Sequence, residues 1–256
     1  MISVLQLARI DYATALELQR SLVELRKRGE IGDVLLLLEH TPVITLGRNA
    51  KTENVLASRE QLAARGVEVF ECDRGGDVTY HGPGQLVGYP IFDLRGFATP
   101  EGPRKTLGAV EFVRRLEEVL IRTCADFGIA ARRVSGRTGV WTEQSDAKVA
   151  AIGVHISRGV TSHGFALNVS TDLDAFQLIV PCGIADKAVT SLGRELGEAP
   201  TLEKVAESAA RNFGAVFQSQ VLWVENLEAL LGRRIGVPMK PPTELRKMHG
   251  EEETWA

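Results

Sequence analysis

Residues able to do chemistry concentrate in three stretches of the chain. Segment 74–85 reads RGGDVTYHGPGQ, four glycines and a proline set among Arg74, Asp77, Thr79, Tyr80, His81 and Gln85. Glycines let a backbone approach a ligand closely, and the polar density exceeds what a connector needs. The pattern is neither G-x-G-x-x-G nor a Walker loop, so it carries no phosphate signature; a turn-rich hairpin is the plain alternative. The second stretch, Lys148–Ser157, alternates as a strand, with Lys148, Ala150, Ile152, Val154 and Ile156 on one side and Val149, Ala151, Gly153 and His155 on the other. A following strand sets Gly164 and Ala166 at alternate positions. Paired, these small residues leave a shallow space, or they let a helix pack closely; spacing does not choose. An edge lysine reaching for water is the default for Lys148. The third stretch, IVPCGIADKAVTSL, holds Cys182 between Pro181 and Gly183 at a strand end, where a thiol is reachable as a nucleophile. Cys124 on a helix stripe and Cys72 inside VFECD read as small buried hydrophobes.

Other chemistries fall away on spacing. Ala185 stands where a zinc deaminase needs its second cysteine. His155 and His163 face each other across a turn without a Cys or carboxylate to complete a zinc set, and read as hydrogen-bonded sheet histidines. No G-x-S-x-G elbow is present. The chain of 256 residues has a net charge of −3, so no global field favours nucleic acid or membrane. Its apolar runs fall short of the ~18 residues of a spanning helix, and its start lacks a signal-peptide pattern. Three cysteines make no disulfide framework. A soluble, cytoplasmic, reduced protein is expected.

The elements that must position these groups follow from periodicity. Helices are predicted over 11–28, 59–65, 105–127 and from Thr201 through Phe217. The third carries Leu107, Val110, Val113, Leu116, Leu120, Cys124 and Phe127 as its stripe. Strands are predicted at 33–39, 43–46, 67–71, 129–134, 139–142, 148–157, 160–169, 177–180 and 221–225, with a turn at Gly159. Strands grouped between single helices argue for an α+β fold with a mixed, largely antiparallel sheet. Residues 1–235 form one expected domain and 236–256 a solvated tail.

Three segments in this order, RGGDVTYHGPGQLVGYPIFDL, GVWTEQSDAKVAAIGVHISRGVTSHGFALNV and IVPCGIADKAVTSL, resemble the octanoyltransferases of lipoate biosynthesis over about Val34 to Leu192. The resemblance implies the catalytic fold of lipoate and biotin protein ligases. It implies transfer of an octanoyl group from octanoyl-acyl carrier protein to a lysine of lipoyl domains, those of 2-oxoacid dehydrogenase complexes and of the glycine cleavage H protein. Cys182 is then the acyl-thioester nucleophile, and Lys148 lowers its pKa or takes its proton. Arg74, Gly75, Gly76, Asp77, Val78, Thr79, Tyr80, His81, Ala151, Ile152, Gly153, Gly164, Phe165 and Ala166 match the acyl-substrate contacts.

A thioester is already activated, so the implied chemistry needs no nucleotide and no metal or other cofactor. Both implied protein partners are acidic. Residues 104–137 carry eight basic and four acidic side chains, so Arg104, Lys105, Arg114, Arg115, Arg122, Arg132, Arg133 and Arg137 form either a steering rim or an ordinary solvated face. An ATP-dependent ligase and a non-catalytic acyl-binding module are the rival readings.

Overall fold

Val34–Leu38 are buried without exception, so the strand they form must be covered on both faces. A computed structural model of the chain describes residues 1–97, 106–181 and 188–231 and shows how. In chain order its elements are β1 (Ile2–Ile10), α1 (Tyr12–Lys27), β2 (Asp33–His40), β3 (Val43–Leu46), α2 (Arg59–Ala64), β4 (Glu68–Glu71), β5 (Val78–His81), β6 (Gln85–Ile91) and α3 (Ala109–Asp126). There follow β7 (Ala131–Val134), β8 (Arg137–Thr142), β9 (Lys148–Ser157), β10 (Val160–Asn168), α4 (Leu192–Leu196), α5 (Leu202–Phe217), β11 (Val221–Trp223) and α6 (Leu227–Leu231).

Eight strands make one sheet in the order β11-β1-β2-β6-β10-β9-β8-β7. Only β1 pairs in parallel, with β11 and with β2; the remaining pairs are antiparallel. A small sheet, β4-β3-β5, lies apart. The α+β class with a mixed, largely antiparallel sheet is thus what the chain adopts.

Period-two alternation splits β2 between two cores. Leu35 and Leu37 join α3 and α5 residues, while Val34, Leu36 and Leu38 join the buried face of α1. A third cluster ties Ile44, Val78 and Tyr80 of the small sheet to Phe176 and Ile179.

The expected stripe of the third helix is rotated in the molecule. Phe112, Leu116, Val119, Leu120 and Cys124 are buried, whereas Val110 is 76% exposed. Phe112 rather than Val110 begins the i, i+4, i+7, i+8 series that reaches the core. The rotation also buries Glu117, whose carboxylate accepts from Arg114 (2.7 Å), Arg133 (3.1 Å) and the Gly139 N–H (3.2 Å). Because both arginines stay partly exposed, Glu117→Ala is expected to cost about 2 kcal/mol, below the usual range for breaking a fully buried pair. Urea melts would show it as a lower midpoint at unchanged slope.

Arg115, Arg122 and Arg132 pair in turn with Glu111, Glu118 and Asp146. Most of the basic rim is therefore internally neutralised, while Arg104 and Lys105 lie outside the described residues, as does the tail at 236–256.

Two other expectations are revised, and one element is new: residues 2–10, given no assignment from the sequence, form a strand that Gln6 and Arg9 disguise. The expected strand at 177–180 is instead the end of a 3-10 turn, Leu173–Leu178, followed by a single bridge from Ile179 to Val55. Cys72 falls just past β4 and is half-buried, its thiol donating to the Leu46 carbonyl (3.5 Å). Cys124 is fully buried as expected, and burial pushes its thiol up to about 12.

Candidate active site

Strands β9 and β10 pair so that Gly153 faces Gly164 and Ala151 faces Ala166. Four positions on one face of the sheet thus lack side chains of any size. The glycine-rich segment lies over them: Gly75 N–H donates to the Val154 carbonyl (3.0 Å), and a Cβ on Gly153 would stand 2.6 Å from the Gly75 carbonyl oxygen. Between segment and sheet is a hollow of about 450 Å3, part of it open to solvent, lined by Arg74, Gly75, Gly76, Thr79 and His81 on one side and 151–153 and 164–166 on the other. A second hollow of about 300 Å3 shares Thr79, Ala151 and Ala166 with the first and continues to Lys148, Asn168 and Pro181. Together they form a slot with an amine at one end.

Strand alternation in β5 sends Thr79 and His81 to the slot, while Val78 and Tyr80 pack into the third core cluster. Asp77 takes neither direction. Its carboxylate accepts from the Lys51 and Val78 N–H groups and from Asn54 Nδ2, pinning the turn after β3. Arg74 is buried and donates to Thr45 Oγ1 and to the Thr45 carbonyl (2.6 Å), so it braces the loop from within.

Lys148 stands on the side of β9 opposite to the one its parity predicts. Val140 pairs with Ala150 but the next residue, Trp141, pairs with Lys148, so Val149 is an extra residue, a β-bulge. Val149 and Ala150 both enter the core beneath α3, which returns Lys148 to the face of Ala151 and Gly153. The lysine is only 8% exposed. Its Nζ lies 5.1 Å from the Trp141 ring centroid, and its Cε fills the place of the missing Gly139 side chain, 2.7 Å from where that Cβ would be. That Cβ would also stand 2.6 Å from the Ala150 carbonyl oxygen, at a residue with φ +128°, so Gly139→Ala is expected both to lower the urea midpoint and to slow turnover at least tenfold by displacing the amine; melts and steady-state kinetics measure the two.

Cys182 lies outside the described residues. Both described flanks of its segment meet Lys148. Pro181, its predecessor in the chain, lines the Lys148 hollow. On the far side the Lys148 N–H donates to the Ala188 carbonyl (2.8 Å), and the Thr190 N–H donates to the Lys148 carbonyl (2.9 Å).

Three residues of the slot carry no signal in the sequence beyond ordinary core character, Tyr12, Tyr89 and Asn168, and a fourth, His163, is the hydrogen-bonded sheet histidine its sequence position suggests. His163 adopts φ +56° and donates from Nε2 to Asp73 (2.8 Å), with His155 3.6 Å from the same carboxylate. His40 donates from Nδ1 to the Ile10 carbonyl and accepts from Tyr89 Oη (2.6 Å). Burial pushes His40 down to about 4 and His81 down to about 3. Both are neutral in the folded protein, so the unfolded chain binds more protons below pH ~6.5 and stability falls with pH from there toward 4. Urea melts at pH 7 and pH 5 should differ by up to about 4 kcal/mol from these two groups, and His40→Gln should remove about half of that slope. Among the described residues no three His, Cys, Asp or Glu side chains are grouped to hold a metal ion, and no helix is long and apolar enough to cross a membrane.

The architecture and slot define a class. The profile of the lipoyl protein ligase A/B catalytic domain matches residues 11–214. An archaeal bipartite lipoate protein ligase from Thermoplasma acidophilum superposes with a TM-score of 0.67 at 16% identity, over 88% of this chain and 87% of that one. A lipoate-protein ligase A bound with ATP superposes with the same score over 88% and 89%. The chain belongs to this family and, within it, to the octanoyltransferases, which are acyltransferases. It is 62% identical to the octanoyltransferase of Koribacter versatilis over 98% of both chains. To that of Acidobacterium capsulatum it is 65% identical over 90% of this chain and 96% of the relative.

Proposed function

We propose that the protein transfers an octanoyl group from octanoyl-acyl carrier protein to a lysine of a lipoyl domain, by way of a thioester on Cys182. The observation that carries this reading is the convergence on Lys148 of both flanks of the Cys182 segment, at one end of a slot walled by small residues. The Cys182 thiolate attacks the thioester carbonyl, the new S–C bond forms and the carrier leaves as a thiolate. The proton taken from Cys182 by Lys148 is returned to that leaving sulfur. In the second half the acceptor amine attacks the Cys182 thioester, an amide forms, and the amine proton passes through Lys148 to the departing cysteine. Aminolysis of a thioester runs downhill, so no nucleotide enters. Two half-reactions spare the enzyme from holding two protein partners at once.

Burial of about six methylenes at ~0.8 kcal/mol each supplies ~5 kcal/mol of anchoring for the chain in the slot. One domain, residues 1–235, carries the activity in the cytoplasm, and the acceptors are lipoyl domains of 2-oxoacid dehydrogenase complexes and the glycine cleavage H protein. Intact mass after incubation with octanoyl-acyl carrier protein tests the reading. An octanoyl adduct is expected on the wild type and none on Cys182→Ala. Turnover with free octanoate and ATP but not with the carrier thioester would instead assign an adenylating ligase.

A further inference from the structure

A chain of buried polar groups crosses the molecule between the two ends of the slot, and each of its hydrogen bonds runs in the same direction. Arg74 donates from Nε and Nη2 to Thr45 Oγ1 (3.0 and 2.9 Å), leaving the Thr45 proton for His81 Nε2 (3.4 Å). His81 Nδ1 donates to Gln85 Oε1 (2.8 Å), Gln85 Nε2 donates to Asn168 Oδ1 (2.9 Å), and Asn168 Nδ2 donates to the Thr190 carbonyl (3.0 Å). Thr190 closes the series by donating its N–H to the Lys148 carbonyl (2.9 Å). Gln85 is 2% and Asn168 4% exposed, and both line the Lys148 hollow. Neither has a step of its own in the proposed mechanism.

The Thr190 carbonyl can only accept, so Asn168 must present Nδ2 to it and Oδ1 to Gln85 Nε2, which leaves Gln85 Oε1 to accept from His81. The Gln85–Asn168 pair thereby fixes the polarity of the series, and with it the Nδ1–H tautomer of His81. We propose that Gln85 and Asn168 are positioning residues for acyl transfer, a one-way polar strut that holds the Lys148–Thr190 backbone contact in register with the Arg74 loop. The proposal rests on the Cys182–Lys148 reading of the site.

Reversing the strut tests it. Asn168→Asp keeps shape and still accepts from Gln85, but an ionised carboxylate cannot donate to the Thr190 carbonyl; protonated, it can. The single-turnover rate of Cys182 octanoylation, relative to wild type at each pH, is thus expected to be within about threefold at pH 5.5. By pH 8.5 it should fall to between one-tenth and one-hundredth, the cost of one unsatisfied buried contact. Iodoacetamide labelling of the Cys182 peptide against pH, read by mass spectrometry, should shift to higher pH in the variant as Lys148 withdraws. Gln85→Glu removes the donor to Asn168 and has the same expected sign, so it serves if Asn168→Asp does not fold. A rate ratio flat with pH in a variant that melts well above the assay temperature, or an unmoved labelling profile, overturns the strut. Cys182→Ala is run alongside: octanoyl transfer by that variant would overturn the reading of the site and is recognised without reference to the strut.

Discussion

Lys148→Ala is expected to slow octanoyl loading of Cys182 by about 10²–10³-fold at pH 7, the range for loss of a positioned proton acceptor. An unassisted thiol with a pKa near 8.5 is only about 3% thiolate at neutral pH. Either role of the lysine, a charge beside the thiolate or a base for its proton, is lost with the side chain. The two contributions leave a signature in pH. Loading by Lys148→Ala should climb steeply from pH 7 to pH 9.5 as the thiol ionises unaided, narrowing the gap to wild type by at least tenfold. The side chain packs on Trp141 and Gly139 at one end of a slot rather than in the centre of a core, so melting should change little. Quenched single-turnover assays with octanoyl-acyl carrier protein measure the rate, and loading within threefold of wild type at pH 7 would remove Lys148 from the mechanism.

Filling the junction of the two hollows should change which acyl chains are accepted. Ala151 lines both and faces Ala166 across the strand pair, so Ala151→Leu places its added carbons where the chain must pass. Loss of about three buried methylenes at ~0.8 kcal/mol each is ~2.4 kcal/mol, or about 50-fold in kcat/Km for the octanoyl donor. A butyryl donor, which ends before the obstruction, should be processed at nearly the wild-type rate. Comparison of C4 to C10 thioesters checks this; a uniform fall at all lengths would mean that the slot does not hold the chain.

Much of this site is legible before any coordinates. The small residues of β9 and β10 meet in the register that a turn at Gly159 demands, because a two-residue connection leaves the pairing no freedom. The glycine-rich segment announces a close backbone approach, and Gly153 lies against it as such a segment requires. What the sequence conceals has identifiable causes. β6 contains Gly88 and Pro90, both strand-breaking by type, yet it is a central strand. The Phe165 ring occupies the space a Gly88 side chain would take, and the Thr161 hydroxyl donates to the Pro90 carbonyl (2.6 Å). Tyr12 and Tyr89 look like core aromatics because they are core aromatics whose edges happen to line the slot. Gln85 and Asn168 are unremarkable in composition, and only tertiary contact reveals what their amides join.

Strand alternation, which groups Lys148 with Ala150, predicts the opposite face from the one on which the lysine stands. One extra residue, Val149, carries the difference. Deletion of that single valine would restore a regular ladder in which Lys148 still lies opposite Trp141 and still faces the slot, at the cost of one apolar side chain beneath α3. A homologue one residue shorter here would therefore keep the meeting point of its reactive side chains. Working copies of this enzyme are to be told from inert ones by which residue stands across from Trp141, not by a gap in an alignment.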